Sequence, residues 1–183
     1  PHIIVATGSV PNIPPIEGLR QTNYLTSRNL FSLSELPKHI LILGAGPVGV
    51  ETAQIMNFLG CRVTIIEKEP HILPEEDGDM ADILEKQLQS EGVTVQTCSK
   101  IIHVEETGNE KVVTYTEGGS TVSVKGDAVF VALGRKGRAD EASIESAGIE
   151  SENGFLETDE TLRTVKKHIY ACGDANGKGF TTH

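Results

Sequence analysis

The chain has 183 residues, enough for one solid domain or one domain with pieces of another, and enough to bury a core without a disulfide or metal staple. Its 26 acidic residues outnumber 16 basic ones, and a formal net charge of -10 argues against a nucleic-acid partner and against an anionic membrane surface. No apolar run reaches the ~20 residues of a membrane helix, and the opening "PHIIVATGSV" has no basic n-region of a signal peptide.

In chain order, "HIIVATG" reads as an apolar strand, and the proline-rich "VPNIPPIEGL" after it as an extended connector. "TSRNLFSLSELP" predicts a short helix or turn. From His39 the pattern is strand, glycine turn, helix, strand: "HILILG", "PVGVETAQIMNFLG", "RVTIIEK". These β-runs are almost continuously apolar, as parallel strands covered on both faces require. A second amphipathic helix is predicted over Asp77–Glu91, with Met80, Ile83, Leu84 and Leu88 on its buried face and Gly92 at its C-terminal cap. "VTVQTC" is the next strand. Residues Lys100–Lys125 alternate, with turns at Gly108-Asn109 and Gly118-Gly119, and predict antiparallel strands. "DAVFVALG" returns to a buried strand. A short helix near Ala142–Ala147, a turn at Glu152–Phe155 and a last strand, "HIYACGD", complete the reading.

Cys61, Cys98 and Cys172 are odd in number and form no C-x-x-C pair, and the six histidines have no ligand spacing. The pattern predicts free thiols, no metal site and a reduced, cytoplasmic setting.

Gly44-Ala45-Gly46-Pro47-Val48-Gly49 fits G-x-G-x-x-G between a strand and a helix. That spacing has physical causes. The first glycine makes the tight turn, the second lets a pyrophosphate approach the backbone, and the third lets helix and sheet pack closely. The phosphates then meet free N–H groups at the positive end of the helix. Pro47 costs little there, because its missing N–H has no partner to lose. The following strand ends in Glu67, where the fingerprint wants a carboxylate for the adenosine ribose hydroxyls. A 2′-phosphate at that point would meet like charge, about 4 kcal/mol per unit pair at 4 Å and an effective dielectric of 20. Lys68 is the one cation in "EKEPHIL". NAD is therefore expected over NADP, with Lys68 leaving NADP tolerance open. The loop alone does not separate NAD from FAD.

Four motifs in order, "IIVATGS", "GAGPVGVE", "VFVALGR" and "HIYACGDANG", resemble the two-dinucleotide flavoprotein disulfide reductases, a family that includes lipoamide dehydrogenase, mercuric reductase and glutathione reductase. The resemblance spans the whole chain. It implies an α/β fold: a Rossmann-type parallel sheet with a small antiparallel β-meander, forming an inserted NAD-binding domain, plus parts of an FAD-binding domain. On that template residues 1–36 are FAD-domain and connector, 37–136 the NAD(H)-binding domain, and 137–183 the return into the FAD domain. The glycine loop sits late because the chain begins inside another domain.

The resemblance also implies roles for residues. Gly44, Gly46, Pro47, Val48 and Gly49 form the NAD pyrophosphate turn, and Glu67 with Lys68 lies at its ribose end. Glu51 matches a carboxylate beside the nicotinamide, and Gly134 a strand-end glycine passed by the dinucleotide. Thr7, Gly8, Gly173 and Asp174 match the FAD segments, the Asp174 carboxylate accepting a ribitol hydroxyl. Pro47 stands where some relatives carry a gating tyrosine. No catalytic residue is expected in the chain itself: the redox C-x4-C pair, the first FAD fingerprint and the His-Glu base would lie outside it.

The implied parent enzyme passes hydride between NAD(H) and FAD, acts on a small-molecule or lipoyl disulfide, and is a homodimer without nucleic-acid or membrane partners. Glu67 and "HILPEEDGDMADIL" resemble the lipoamide dehydrogenase subgroup, whereas "IPPIEGL", "YLTS" and the closing "FTTH" resemble mercuric reductases. A flavin-dependent NADH oxidoreductase without a redox disulfide and a non-catalytic NAD-binding module remain alternatives.

Overall fold

The computed structural model describes residues 1–139 and 144–179. In chain order the strands are β1 (Ile3–Val5), β2 (Ser9–Pro11), β3 (His39–Leu43), β4 (Arg62–Ile66), β5 (Thr94–Gln96), β6 (Lys100–Thr107), β7 (Glu110–Glu117), β8 (Ser120–Gly126), β9 (Ala128–Val131), β10 (Arg135–Gly137), β11 (Ser151–Glu152), β12 (Phe155–Leu156) and β13 (Ile169–Ala171). Two α-helices join them, α1 (Pro47–Phe58) between β3 and β4 and α2 (Gly78–Ser90) between β4 and β5. Neither is long and apolar enough to cross a membrane.

The chain divides into two compact units, Ile13–Gly134 and Pro1–Asn12 with Arg135–His183. In the first, the apolar runs form a parallel four-stranded sheet in the order β5-β4-β3-β9. Counted within the unit this is the 3-2-1-4 order of a doubly wound sheet. Alternation along β3 explains why every position there is apolar. Ile40 and Ile42 pack with Ala53 and Met56 of α1 and Leu88 of α2, while Leu41 and Leu43 pack on the other face with Val104, Val113 and Tyr115 of the meander. The antiparallel sheet β6-β7-β8 thus covers the face that lacks helices, and its turns fall at the expected glycines.

Two details differ from the sequence reading. α2 has the predicted extent, but Ala81 and Leu88 are its buried residues, whereas Met80 and Ile83 are more than 60% exposed. Its inward stripe is Ala81, Leu84 and Leu88, so the contact is narrower and rotated. The segment 13–36 is also no mere connector. Leu19 and Leu30 are buried, and Leu25 pairs beside β9 through Leu25 N–H to Val129 O (2.7 Å) and Val131 N–H to Leu25 O (2.8 Å). Val104 N–H donates to Glu17 O at 2.9 Å, so the same segment is tied to β6. These bonds move the boundaries from 36/37 and 136/137 to 12/13 and 134/135.

The second unit is built by pairing distant segments. β1 runs parallel to β13, β2 antiparallel to β10, and β11 antiparallel to β12 across the predicted turn. Its core holds Val5, Ala139, Ile149, Leu156, Ile169 and Ala171. The expected helix near Ala142–Ala147 is a short 3-10 turn at Ile144–Ala147, with 142–143 outside the described residues, as is "FTTH" at 180–183.

Candidate functional site

The glycine loop leaves β3 at the carboxyl edge of the parallel sheet, where open α/β sheets bind ligands. Each of its glycines has a different cause. Gly44 has φ +97°, and a Cβ there would lie 2.5 Å from the Ala132 carbonyl oxygen. A Cβ at Gly49 would lie 2.1 Å from the Gly44 carbonyl oxygen and 3.3 Å from Ala132 Cβ, so this glycine lets α1 close on its own turn. Gly46 is unlike both. Its φ of -68° and ψ of -179° suit any residue, and a Cβ there would meet nothing within 4 Å. Nothing within the chain requires a glycine at 46.

Gly46 is the N-cap of α1 and offers no side-chain cap, and Pro47 is the first helical residue. The N–H groups of Val48 and Gly49 belong to the first turn, where no intrahelical acceptor exists. A 12-residue helix thus presents its positive end beside an open glycine. Glu51 stands one turn further along on the exposed side of α1. Gly134, at φ +88°, is exposed just after β9.

Glu67 closes the other side of the loop. It is only 6% exposed, and its carboxylate is turned into the glycine turn. Oε2 accepts the Ala45 N–H at 2.7 Å and Oε1 accepts the Glu69 N–H at 2.9 Å. Its backbone is pinned as well: Glu67 N–H donates to Gln96 O (2.8 Å) and Ser99 N–H to Glu67 O (2.8 Å). The expected ribose acceptor is therefore also a loop clamp. Each carboxylate oxygen still has lone-pair capacity for a hydroxyl, so the two roles are compatible. Lys68 is exposed and paired with Glu69 at 3.1 Å, which leaves less free positive charge for a 2′-phosphate.

A second cluster lies in the other unit, where three of the motifs meet. Asp174 Oδ2 accepts the Ser9 hydroxyl at 2.5 Å and lies 3.4 Å from Arg135 Nε. Arg135 Nε also donates to Ser9 Oγ at 2.5 Å, and its Nη2 to the Ser9 carbonyl at 3.2 Å. Thr7 Oγ1 is buried and has no hydrogen-bond partner among the described residues. Gly8 and Gly173 have φ of +71° and +62°, which favour glycine. Ser9 and Arg135 were not singled out from the sequence, although both stand in the quoted motifs "IIVATGS" and "VFVALGR". Only the fold reveals that they converge on Asp174. Cys172, just before this segment, is half-buried and free.

Strand order and loop geometry define the class, a doubly wound α/β protein with a glycine turn at its carboxyl edge. The chain belongs to the pyridine nucleotide-disulphide oxidoreductase family, whose model matches residues 1–183. It is 34% identical to the dihydrolipoyl dehydrogenase of Acholeplasma laidlawii over all of this chain and 54% of that protein. It is 33% identical to the mercuric reductase of Lysinibacillus sphaericus over 94% of this chain and 32% of that one. Among solved structures it is similar to the Cu(II) complex of the HOCl-induced flavoprotein disulfide reductase RclA from Escherichia coli. That match has a TM-score of 0.89 and 33% identity, covering 99% of this chain and 41% of the other. The chain thus spans about half, or less, of the length of these relatives.

Proposed function

We infer that this chain is the NAD(H)-binding part of an FAD-dependent disulfide oxidoreductase of the dihydrolipoamide dehydrogenase kind. The observation that carries the reading is Gly46, a glycine with ordinary backbone angles and open space where its Cβ would stand, beside the free N–H groups of a helix start. A pyrophosphate against that backbone is a reason for a glycine that the chain itself does not supply. Val48 and Gly49 N–H then bind phosphate oxygens, and Glu67 takes ribose hydroxyls while keeping Ala45 in place. On the same reading Ile13–Gly134 holds NAD(H), and Thr7, Gly8, Gly173 and Asp174 contribute to an FAD site. The buried, unpartnered Thr7 hydroxyl fits a ligand there.

When bound, the nicotinamide and flavin supply the hydride chemistry, and this chain supplies grip and electrostatics. Glu51, on the exposed side of α1, is assigned to the nicotinamide end, and Gly134 to the passage of the dinucleotide over the sheet edge. The buried carboxylate of Glu67 and the Lys68–Glu69 pair favour NAD(H) over NADP(H). The disulfide substrate and a homodimeric state belong to the full-length protein on this reading. A mercuric reductase-like activity is the second reading, favoured by the Lysinibacillus sphaericus relative at 33% identity.

Calorimetric titration of the 183-residue chain with NADH and NADPH tests the proposal. NADH should bind, with NADPH weaker by about tenfold or more, the penalty of placing phosphate charge near Glu67. Binding of neither dinucleotide would refute the reading.

A further inference from the structure

The Ser9, Arg135 and Asp174 cluster ties together segments more than 120 residues apart in sequence. All three residues lie in the same compact unit, and both charged side chains are about four-fifths buried. The arrangement is asymmetric. Arg135 Nε and the Ser9 hydroxyl both meet Oδ2 of Asp174, while Oδ1 carries no hydrogen bond among the described residues. Arg135 is itself held by its second arm, Nη2 on the Ser9 carbonyl. Ser9 is fixed in turn by the pairing of β2 with β10, which sets Ser9 opposite Gly137 and Arg135 opposite Pro11.

A carboxylate gripped at one oxygen is locked in rotation about its Cβ–Cγ bond, so its free oxygen points in one direction. The guanidinium fork suits this task, because it spends two N–H groups on separate acceptors at fixed angles. Its charge also keeps the half-buried carboxylate ionised and acceptor-only.

We propose that Arg135 and Ser9 are positioning residues for flavin binding, acting through Asp174: they immobilise Oδ2 and present Oδ1 as a single oriented acceptor for a hydroxyl of the FAD ribitol chain. The inference rests on the FAD reading given above. It adds two residues to that site and a mechanism for their action.

The test measures FAD dissociation constants on the full-length protein by flavin fluorescence, for Arg135→Met and Ser9→Ala, each alone and combined with Asp174→Asn. Arg135→Met should weaken FAD binding about tenfold and Ser9→Ala about threefold, the latter a one-atom change that leaves the β2–β10 pairing intact. In the Asp174→Asn background neither should weaken it further, because they act through that carboxylate. A purely structural role would make the effects multiply instead. Unchanged affinity in Arg135→Met, or full multiplication with Asp174→Asn, overturns the positioning role. A wild-type protein that holds no FAD overturns the FAD reading itself, and the positioning role with it.

Discussion

Replacing Glu67 by alanine removes two acceptors at once. The bonds from Ala45 N–H (2.7 Å) and Glu69 N–H (2.9 Å) end on an ionised group, and such bonds contribute about 1.5–3 kcal/mol each. Ala45 is fully buried, so its N–H would be left without a partner unless the loop moved. We expect Glu67→Ala to cost about 3 kcal/mol, or about 10 °C in Tm at ~3–4 °C per kcal/mol for a unit of this size. Glu67→Gln keeps one acceptor oxygen but turns an NH2 group toward a donor, and should lose about half as much. The assay is thermal melting by circular dichroism beside calorimetric NADH titration of whatever remains folded. At 15 °C, where the variant is folded, NADH affinity should fall about tenfold or more while NADPH falls less, because a repulsive charge has gone. A Glu67→Ala protein melting within about 2 °C of wild type would refute the clamp. Unchanged affinity for both dinucleotides would refute the ribose assignment.

Gly49→Ala should destabilise the protein, since the added Cβ lies 2.1 Å from the Gly44 carbonyl oxygen. The overpacking cost of about 1–3 kcal/mol outweighs the ~1 kcal/mol gain in helix propensity, which a melt will show as a lower Tm. Asp127 gives a pH signature. Burial pushes its carboxyl up, but the His39 and Lys38 N–H groups, at 2.7 and 2.8 Å, outweigh burial and hold it below the usual aspartate range. A depressed folded value means stability that is present above the unfolded pKa of ~3.9 and lost as pH falls through the folded one. Asp127→Asn should therefore lower Tm at pH 7 and flatten its decline below pH 4; an unchanged acid slope would contradict this.

What the sequence made legible was local. The β3–α1–β4 core announces itself through two apolar runs and a glycine spacing, and the extent of α2 through its Asp77 and Glu91 ends. The packing of α2 was less legible. Met80 and Ile83 have the right period and chemistry, yet the contact is narrow enough that Ala81, a residue with little hydrophobic signal, occupies it. The role of 13–36 was hidden for a related reason: a single paired residue, Leu25, and a few buried leucines do not register as a strand or helix.

Within the candidate sites, positions were readable and partnerships were not. Glu67 was placed at the strand end by spacing, but its bonds to Ala45 and Glu69 depend on how the chain turns after β4. Ser9, Arg135 and Asp174 meet only because two three-residue strands, β2 and β10, pair across the whole central unit. Such short strands carry almost no periodicity, and Pro11 argues locally against one of them.

The central claim is that a dinucleotide pyrophosphate lies against Gly46, and the substitution Gly46→Ala tests it most directly. The backbone angles accept alanine and its Cβ has nothing within 4 Å, so the account predicts a Tm within about 2 °C of wild type. It also predicts NADH binding weakened about tenfold or more, because the methyl stands where the phosphates approach. Gly46→Ala binding NADH with wild-type affinity would contradict the account.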